Sequence, residues 1–236
     1  MEGVSEQSII GLSAGLAMEG FKPYVNTIST FITRRCYEQV AVDLCMHNLP
    51  VKLIGNGGGL VYAPLGPTHQ AIEDISIMRV LPNMSIIAPS DAIEMKKLIN
   101  QTVNLKGPLY VRIARGGEEK INSINDKIIF GKGLIKIKPK TKLIISTGIM
   151  TQIAIKAAKI INKNKNGGCG VIHLGTIKPL DEELLKTYFK KVKKIVTIEE
   201  NVISGGFGSS ILELTNKIMP EYSSKIKMIG LENRFI

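Results

Sequence analysis

Side chains able to bind charge or move protons cluster at four places in this chain. Glu6, in Gly3-Val4-Ser5-Glu6-Gln7, heads an apolar, Gly- and Ala-rich stretch from Ser8 to Met18. A carboxylate there suits the positive end of a helix, with Ser5 as N-cap, and it can also hold a proton for a ligand. Phe31 follows the apolar run Tyr24-Val25-Asn26-Thr27-Ile28 and offers a flat ring face. His69 lies in Gly66-Pro67-Thr68-His69-Gln70, where an imidazole can hydrogen-bond an oxygen or transfer a proton near neutral pH. Arg112 and Arg115 end the run that begins at Leu109, and Arg34 and Arg35 come just after Phe31. A guanidinium binds oxyanions through parallel N–H groups, although a solvated helix face accounts for Arg34 and Arg35 as well. Tyr37 reads as a core residue or one behind the site.

These groups need a scaffold, and the apolar pattern supplies one. Short runs at 24–28, 51–54, 85–88 and 109–113 read as strands, with helical stretches at 5–19, 34–48, 69–79 and 90–103 between them. The last opens on Pro89-Ser90-Asp91 followed by Glu94, a helix-start pattern. A polar stretch then breaks the rhythm. Strands at 142–148, 170–174, 195–198 and 225–229 resume it, alternating with helices at 150–163, 181–190 and 208–218. Such alternation predicts an α/β fold of two doubly wound domains with mainly parallel sheets. The boundaries expected are 1–117, a linker at 118–127, and 128–236. Ligand crevices in such sheets lie beyond the carboxyl ends of the strands, where the acid, the ring, the histidine and two arginines can converge.

Composition narrows the function. The chain has 236 residues and 44% hydrophobic side chains, enough for real cores, and no apolar run long enough to span a membrane. Its net charge of +11 invites a nucleic-acid reading, but residues 1–118 carry 10 basic and 10 acidic side chains. The remainder carries 21 basic side chains, 20 of them scattered lysines, without an arginine stripe or interleaved aromatics. We therefore expect neither a nucleic-acid nor a membrane partner. Cys36, Cys45 and Cys169 follow no metal-ligand spacing, and an odd number cannot all pair, which fits a reduced, cytoplasmic protein. The turn Ser204-Gly205-Gly206-Phe207-Gly208 matches neither a dinucleotide nor a Walker fingerprint and reads as a packing turn.

The order of these segments resembles the transketolase family, including its 1-deoxyxylulose-5-phosphate synthase branch. The likeness runs from Gly3-Val4-Ser5-Glu6-Gln7 through Ser29-Thr30-Phe31, Tyr37-Glu38-Gln39-Val40, Gly66-Pro67-Thr68-His69-Gln70, Leu81-Pro82-Asn83-Met84 and Ala88-Pro89-Ser90-Asp91 to Arg115-Gly116. Lys178-Pro179-Leu180-Asp181, Glu199-Glu200-Asn201 and Gly205-Gly206-Phe207-Gly208-Ser209 look like the family's C-terminal domain. The resemblance implies that thiamine diphosphate is the cofactor and that Glu6 contacts N1′ of its aminopyrimidine, promoting loss of the thiazolium C2 proton. An acid beside an apolar helix is expected to have a raised proton affinity, which suits that role. Phe31 matches the ring that stacks on the aminopyrimidine, and His69 the substrate-side histidine. Arg115, with Arg112 and Arg35, matches positions that receive a phosphorylated substrate.

Two departures bear on the substrate. Leu65 stands where the family carries an Asp that reads a sugar hydroxyl, and Gly57-Gly58-Gly59 replaces a His or Arg that holds phosphate. A roomier, less polar pocket and a modified sugar are implied. By family standards the diphosphate- and Mg²⁺-binding half lies upstream, as do the first strand and helix of the pyrimidine domain, and relatives continue beyond Gly230-Leu231. The resemblance thus implies a fragment or a subunit, with an N-terminal partner half, in a homodimer or heterotetramer that is inactive without it. The expected activity is transfer of a two-carbon ketol unit between sugars. Alternatives are a deoxyxylulose-phosphate-synthase-like condensation, a 2-oxo-acid dehydrogenase β subunit, and a non-catalytic assembly partner.

Overall fold

The computed structural model describes residues 4–164 and 167–236; Gly3 of the first motif lies outside the described residues. Helix α1 (Glu6–Met18) precedes strand β1 (Tyr24–Ile28), which pairs in parallel with β2 (Lys52–Asn56). Strand β3 (Ser85–Ile87) leads through α5 (Ala92–Thr102) to β4 (Leu109–Ile113), and β4 lies between β2 and β3, parallel to both. The second sheet is built from β5 (Leu134–Ile137), β6 (Lys142–Ser146), β7 (Cys169–His173), β9 (Lys194–Val202) and β10 (Ile226–Leu231), in the order β10-β9-β6-β7-β5. Only β5 is antiparallel to its neighbour there. Two α/β units with mainly parallel sheets are therefore present, as the alternating pattern predicts.

The first sheet takes a strand from the second half of the chain. Strand β8 (Thr176–Lys178) pairs antiparallel with β3, Ile87 opposite Thr176 and Ile86 opposite Lys178. The alternation of apolar runs gave no sign of this strand or of β5, because three or four residues are too few to show a period. Ile10, Tyr110, Ile145, Phe189 and Phe207 belong to one continuous core drawn from both halves. Each such side chain contributes roughly 2–3 kcal/mol by leaving water.

Two expected helices are shorter than the pattern implied. Residues 34–48 do not form one helix: α2 (Ser29–Thr33) begins where β1 ends, and α3 (Tyr37–Gln39) continues as a π-helical turn from Val40 to Met46. Ser29-Thr30-Phe31 is thus the first turn of a helix. In the wider π turn, residues four and five apart share a face, and Val40, Leu44 and Cys45 are all buried. The helix expected from 69 starts only at Asp74 (α4, Asp74–Arg79), because Ala71 is engaged with Gly59 through Gly59 N→O Ala71 (2.8 Å) and Ala71 N→O Gly59 (3.1 Å). In the second half, α6 (Met150–Asn162), α7 (Glu182–Phe189) and α8 (Phe207–Ile218) follow the pattern closely. Among the described residues no helix is long and apolar enough to cross a membrane.

Candidate active site

Glu6, Arg35, Phe31 and His69 form one chain of contacts. Glu6 is buried as the first residue of α1, and its Oε2 accepts a 2.7 Å hydrogen bond from Nη1 of Arg35. The Arg35 guanidinium carbon lies 4.1 Å from the centre of the Phe31 ring, a cation–π distance. The far side of the relay is His69, whose ring centre is 5.3 Å from that of Phe31, edge to face at 69°. Thr68 Oγ1 lies 2.9 Å from His69 Nδ1. The loop bearing His69 is held by Arg34, whose Nη2 donates to the carbonyls of Pro67 (3.1 Å) and Gln70 (2.8 Å) while its Nε pairs with Glu73. Arg34, although exposed, is therefore a loop anchor.

Three expectations about this cluster change. The Ser5 side chain makes no capping hydrogen bond, so Glu6 is not accounted for by a Ser5-headed cap. The proton affinity of Glu6 is not raised. Burial pushes its pKa up, but the Arg35 hydrogen bond, its own backbone amide and the Arg35 charge outweigh burial and hold the carboxyl below its ordinary value. Arg35, expected near substrate phosphate, is instead spent on Glu6 and Phe31.

The glycine run does not leave open room. Gly57 (φ +73) packs directly under the Tyr62 ring, so a Cβ there would land inside it. A Cβ on Gly58 would sit 2.6 Å from Cγ of Arg112, and one on Gly59 (φ +75) would collide with the Glu200 carboxylate. The expected roomier pocket is thus filled at this point by Tyr62 and Arg112, whereas Leu65 does face outward, at 57% exposure.

Arg112 is an interior tie. At 7% exposure its Nε donates to Asp74 Oδ2 (2.8 Å) and its Nη2 to the carbonyls of Ala71 (3.2 Å) and Glu200 (2.8 Å). Tyr110 donates to the same Asp74 oxygen at 2.7 Å. Burial and these partners take Arg112 away from a substrate anion and make it a brace between the two halves. Arg115 is exposed and lines a groove of about 320 Å³ with Asp91, Met95, Glu118 and Lys120, outside the Glu6–His69 chain. Tyr37 packs against the core and donates its hydroxyl to the Ile77 carbonyl at 3.0 Å.

Two buried polar clusters escaped sequence reasoning. Glu94, read only as part of a helix start, meets His173 from β7. His173 Nδ1 lies 2.7 Å from Thr151 Oγ1, and Ser90 donates to Glu94 through both N (2.7 Å) and Oγ (2.6 Å). Glu199 accepts from the amides of Phe207 (2.6 Å) and Gly208 (2.7 Å) at the start of α8. Burial pushes Glu199 up to about 7 against the pull of those amides and of Arg112 and Arg79. The only sequence signal for it was the adjacent Glu199-Glu200-Asn201 and Gly205-Gly206-Phe207-Gly208 segments.

Known proteins share this architecture. Residues 2–117 match the transketolase pyrimidine-binding domain, and residues 131–236 match the transketolase C-terminal domain. A solved split-gene transketolase, described as an inactive β4 tetramer, aligns with a TM-score of 0.88 at 30% identity, covering 97% of this chain and 73% of that one. A transketolase from Campylobacter jejuni subsp. jejuni shares the fold, with a TM-score of 0.76 at 19% identity over 98% of this chain and 34% of its own. This chain belongs to the transketolase family, as a polypeptide joining its pyrimidine-binding and C-terminal domains. The 1-deoxy-D-xylulose-5-phosphate synthase of Clostridium perfringens (strain SM101 / Type A) is 42% identical over 99% of this chain. That of Caldanaerobacter subterraneus subsp. tengcongensis is 38% identical over the same share. The chain spans 37% of the length of these two curated relatives.

Proposed function

We propose that this chain is the pyrimidine-binding and C-terminal half of a thiamine-diphosphate-dependent enzyme that transfers a two-carbon ketol unit between sugars. The observation that carries this reading is the contact chain from Glu6 to His69, which gathers a carboxylate from the start of α1, a ring face from α2 and an imidazole from the loop before α4. The donor set suits an aminopyrimidine, since a carboxylate can share a proton with a ring nitrogen and a phenyl face can stack on the ring. When bound, the cofactor supplies the nucleophilic carbon that carries the ketol unit. The chain's own residues bind and orient: Glu6 holds or releases the proton at N1′, Phe31 supports the ring, and His69 hydrogen-bonds the sugar oxygens. Arg115, exposed at the end of β4, meets an anionic group of the substrate.

The diphosphate and Mg²⁺ belong, in this reading, to an N-terminal half on the same chain or a separate subunit, in a homodimer or heterotetramer. The split-gene neighbour supports this, because its β4 assembly is inactive. So does α1, which leaves Leu12 and Met18 each 59% exposed. Three buried, unpaired cysteines fit a cytoplasmic enzyme. Leu65, exposed and unable to accept a hydrogen bond from a sugar hydroxyl, favours a modified sugar over an ordinary pentose phosphate, although the closed glycine run adds no room for one.

A deoxyxylulose-phosphate-synthase-like condensation is the second reading, favoured by the 42% identity to such a synthase. Product analysis after mixing the chain with a thiamine-diphosphate-binding transketolase half separates the two. A ketose extended by two carbons without gas release supports ketol transfer, and carbon dioxide from pyruvate supports condensation. Neither product, from a stable complex, refutes both.

A further inference from the structure

We propose that Arg35 is a resident occupant of the pyrimidine site, which the cofactor must displace before it can bind. The inference rests on the pyrimidine-binding reading of Glu6 and Phe31. A guanidinium is planar, bears N–H groups and is stable against an aromatic face. Here it hydrogen-bonds Glu6 Oε2 at 2.7 Å while its carbon lies 4.1 Å over the Phe31 ring. An aminopyrimidine makes the same two demands, on the same carboxylate and the same ring, and the two groups therefore compete.

The surroundings suit an occupant that leaves. Arg35 lies in the break between α2 and α3, held by no helical turn of its own. Its side chain is 38% exposed, against 11% for Glu6, so the guanidinium can swing into water while the carboxylate stays in place. Its backbone is tethered to α1 by Gln7 Nε2, which donates to the Arg35 carbonyl at 3.0 Å, so displacement needs only side-chain rotation. Arg35 thus satisfies Glu6 and covers Phe31 until a competing group takes both contacts.

The test uses the full chain and a neutral probe, 4-amino-2,5-dimethylpyrimidine, titrated by calorimetry. Arg35→Ala and Arg35→Gln are expected to bind the probe roughly tenfold tighter than the wild type, the combined effect of one exposed ion pair and one cation–π contact. Arg35→Lys, which keeps the charge but not the plane, falls between. Wild-type affinity rises with ionic strength, and that dependence disappears in Arg35→Ala. The Arg35 Nε–H resonance is expected upfield, under the Phe31 ring, and should move to the position of an exposed arginine at saturation. Tighter binding by the wild type than by Arg35→Ala, or an unmoved resonance, overturns the inference. If Glu6→Gln and Phe31→Ala abolish binding while Arg35→Ala binds like the wild type, only the inference falls. If no form binds the probe, or Glu6→Gln and Phe31→Ala bind it unchanged, the pyrimidine-binding reading falls as well.

Discussion

His173 Nε2 lies 2.9 and 2.8 Å from the two carboxylate oxygens of Glu94, across 79 positions of sequence and between the two halves of the chain. Both side chains are fully buried, and Asn122 from the connecting segment reaches Ser90 Oγ beside them. Burial alone would raise the Glu94 pKa, but the His173 charge and the hydrogen bonds from His173 and Ser90 bring it below its ordinary value of 4.5. The folded chain thus prefers the carboxylate. The stability it adds is complete above 4.5 and drains away as pH falls through the depressed value. Glu94→Gln should lower unfolding stability by about 3 kcal/mol at neutral pH. It should also remove part of the acid-side decline, both read from denaturant midpoints across pH.

Glu199 gives the opposite slope. Its folded pKa of about 7, raised mainly by burial, exceeds the ordinary 4.5, so the folded chain binds the proton more tightly than the unfolded one. Its contribution is complete below 4.5 and is lost as pH rises through 7, by at most about 3 kcal/mol. Glu199→Gln should flatten stability over that window. An unchanged slope would show that the amides of Phe207 and Gly208 keep the carboxylate charged.

Glu6→Gln should reduce turnover of the reconstituted enzyme by roughly 10²–10⁴-fold, the usual scale for losing a proton-handling group. Because the pair it breaks is partly exposed, stability should change by less than about 1 kcal/mol. Unchanged turnover would remove Glu6 from the mechanism.

Restoring a basic residue to the glycine run should fail. Gly57→His puts a side chain into the Tyr62 ring at a φ of +73 and should cost roughly 2–3 kcal/mol. The double variant Gly57→His, Tyr62→Ala should recover part of that loss. Wild-type turnover on xylulose 5-phosphate and ribose 5-phosphate should fall well below that of an ordinary transketolase; equal turnover would refute the modified-sugar proposal.

The α/β alternation, most strands and the start of α5 were legible because they depend on local signals. Asp91 does accept from Glu94 N at 2.9 Å, as the Ser90-Asp91 pattern with Glu94 suggests. What stayed hidden depends on distance in sequence. Nothing local ties Arg35 to Glu6, 29 positions earlier, and a guanidinium that reads as a phosphate ligand is equally able to neutralise a buried acid. Arg112 looked like a strand-end cation open to ligand until Asp74 and Glu200 closed over it. In the π-helical turn at Val40–Met46 each backbone hydrogen bond spans one residue more than in an α-helix, too little for apolar spacing to reveal.

Strand β8 has a consequence for chimeric chains. Because Thr176–Lys178 completes the sheet that begins at Tyr24, the second half cannot be exchanged freely for that of a distant homologue. A recombinant junction between residues 113 and 134 would have to import a segment able to pair with Ile86 and Ile87, or leave β3 with an open, sticky flank. One flank of the first sheet is thus closed by three residues that only the second half of the chain can supply.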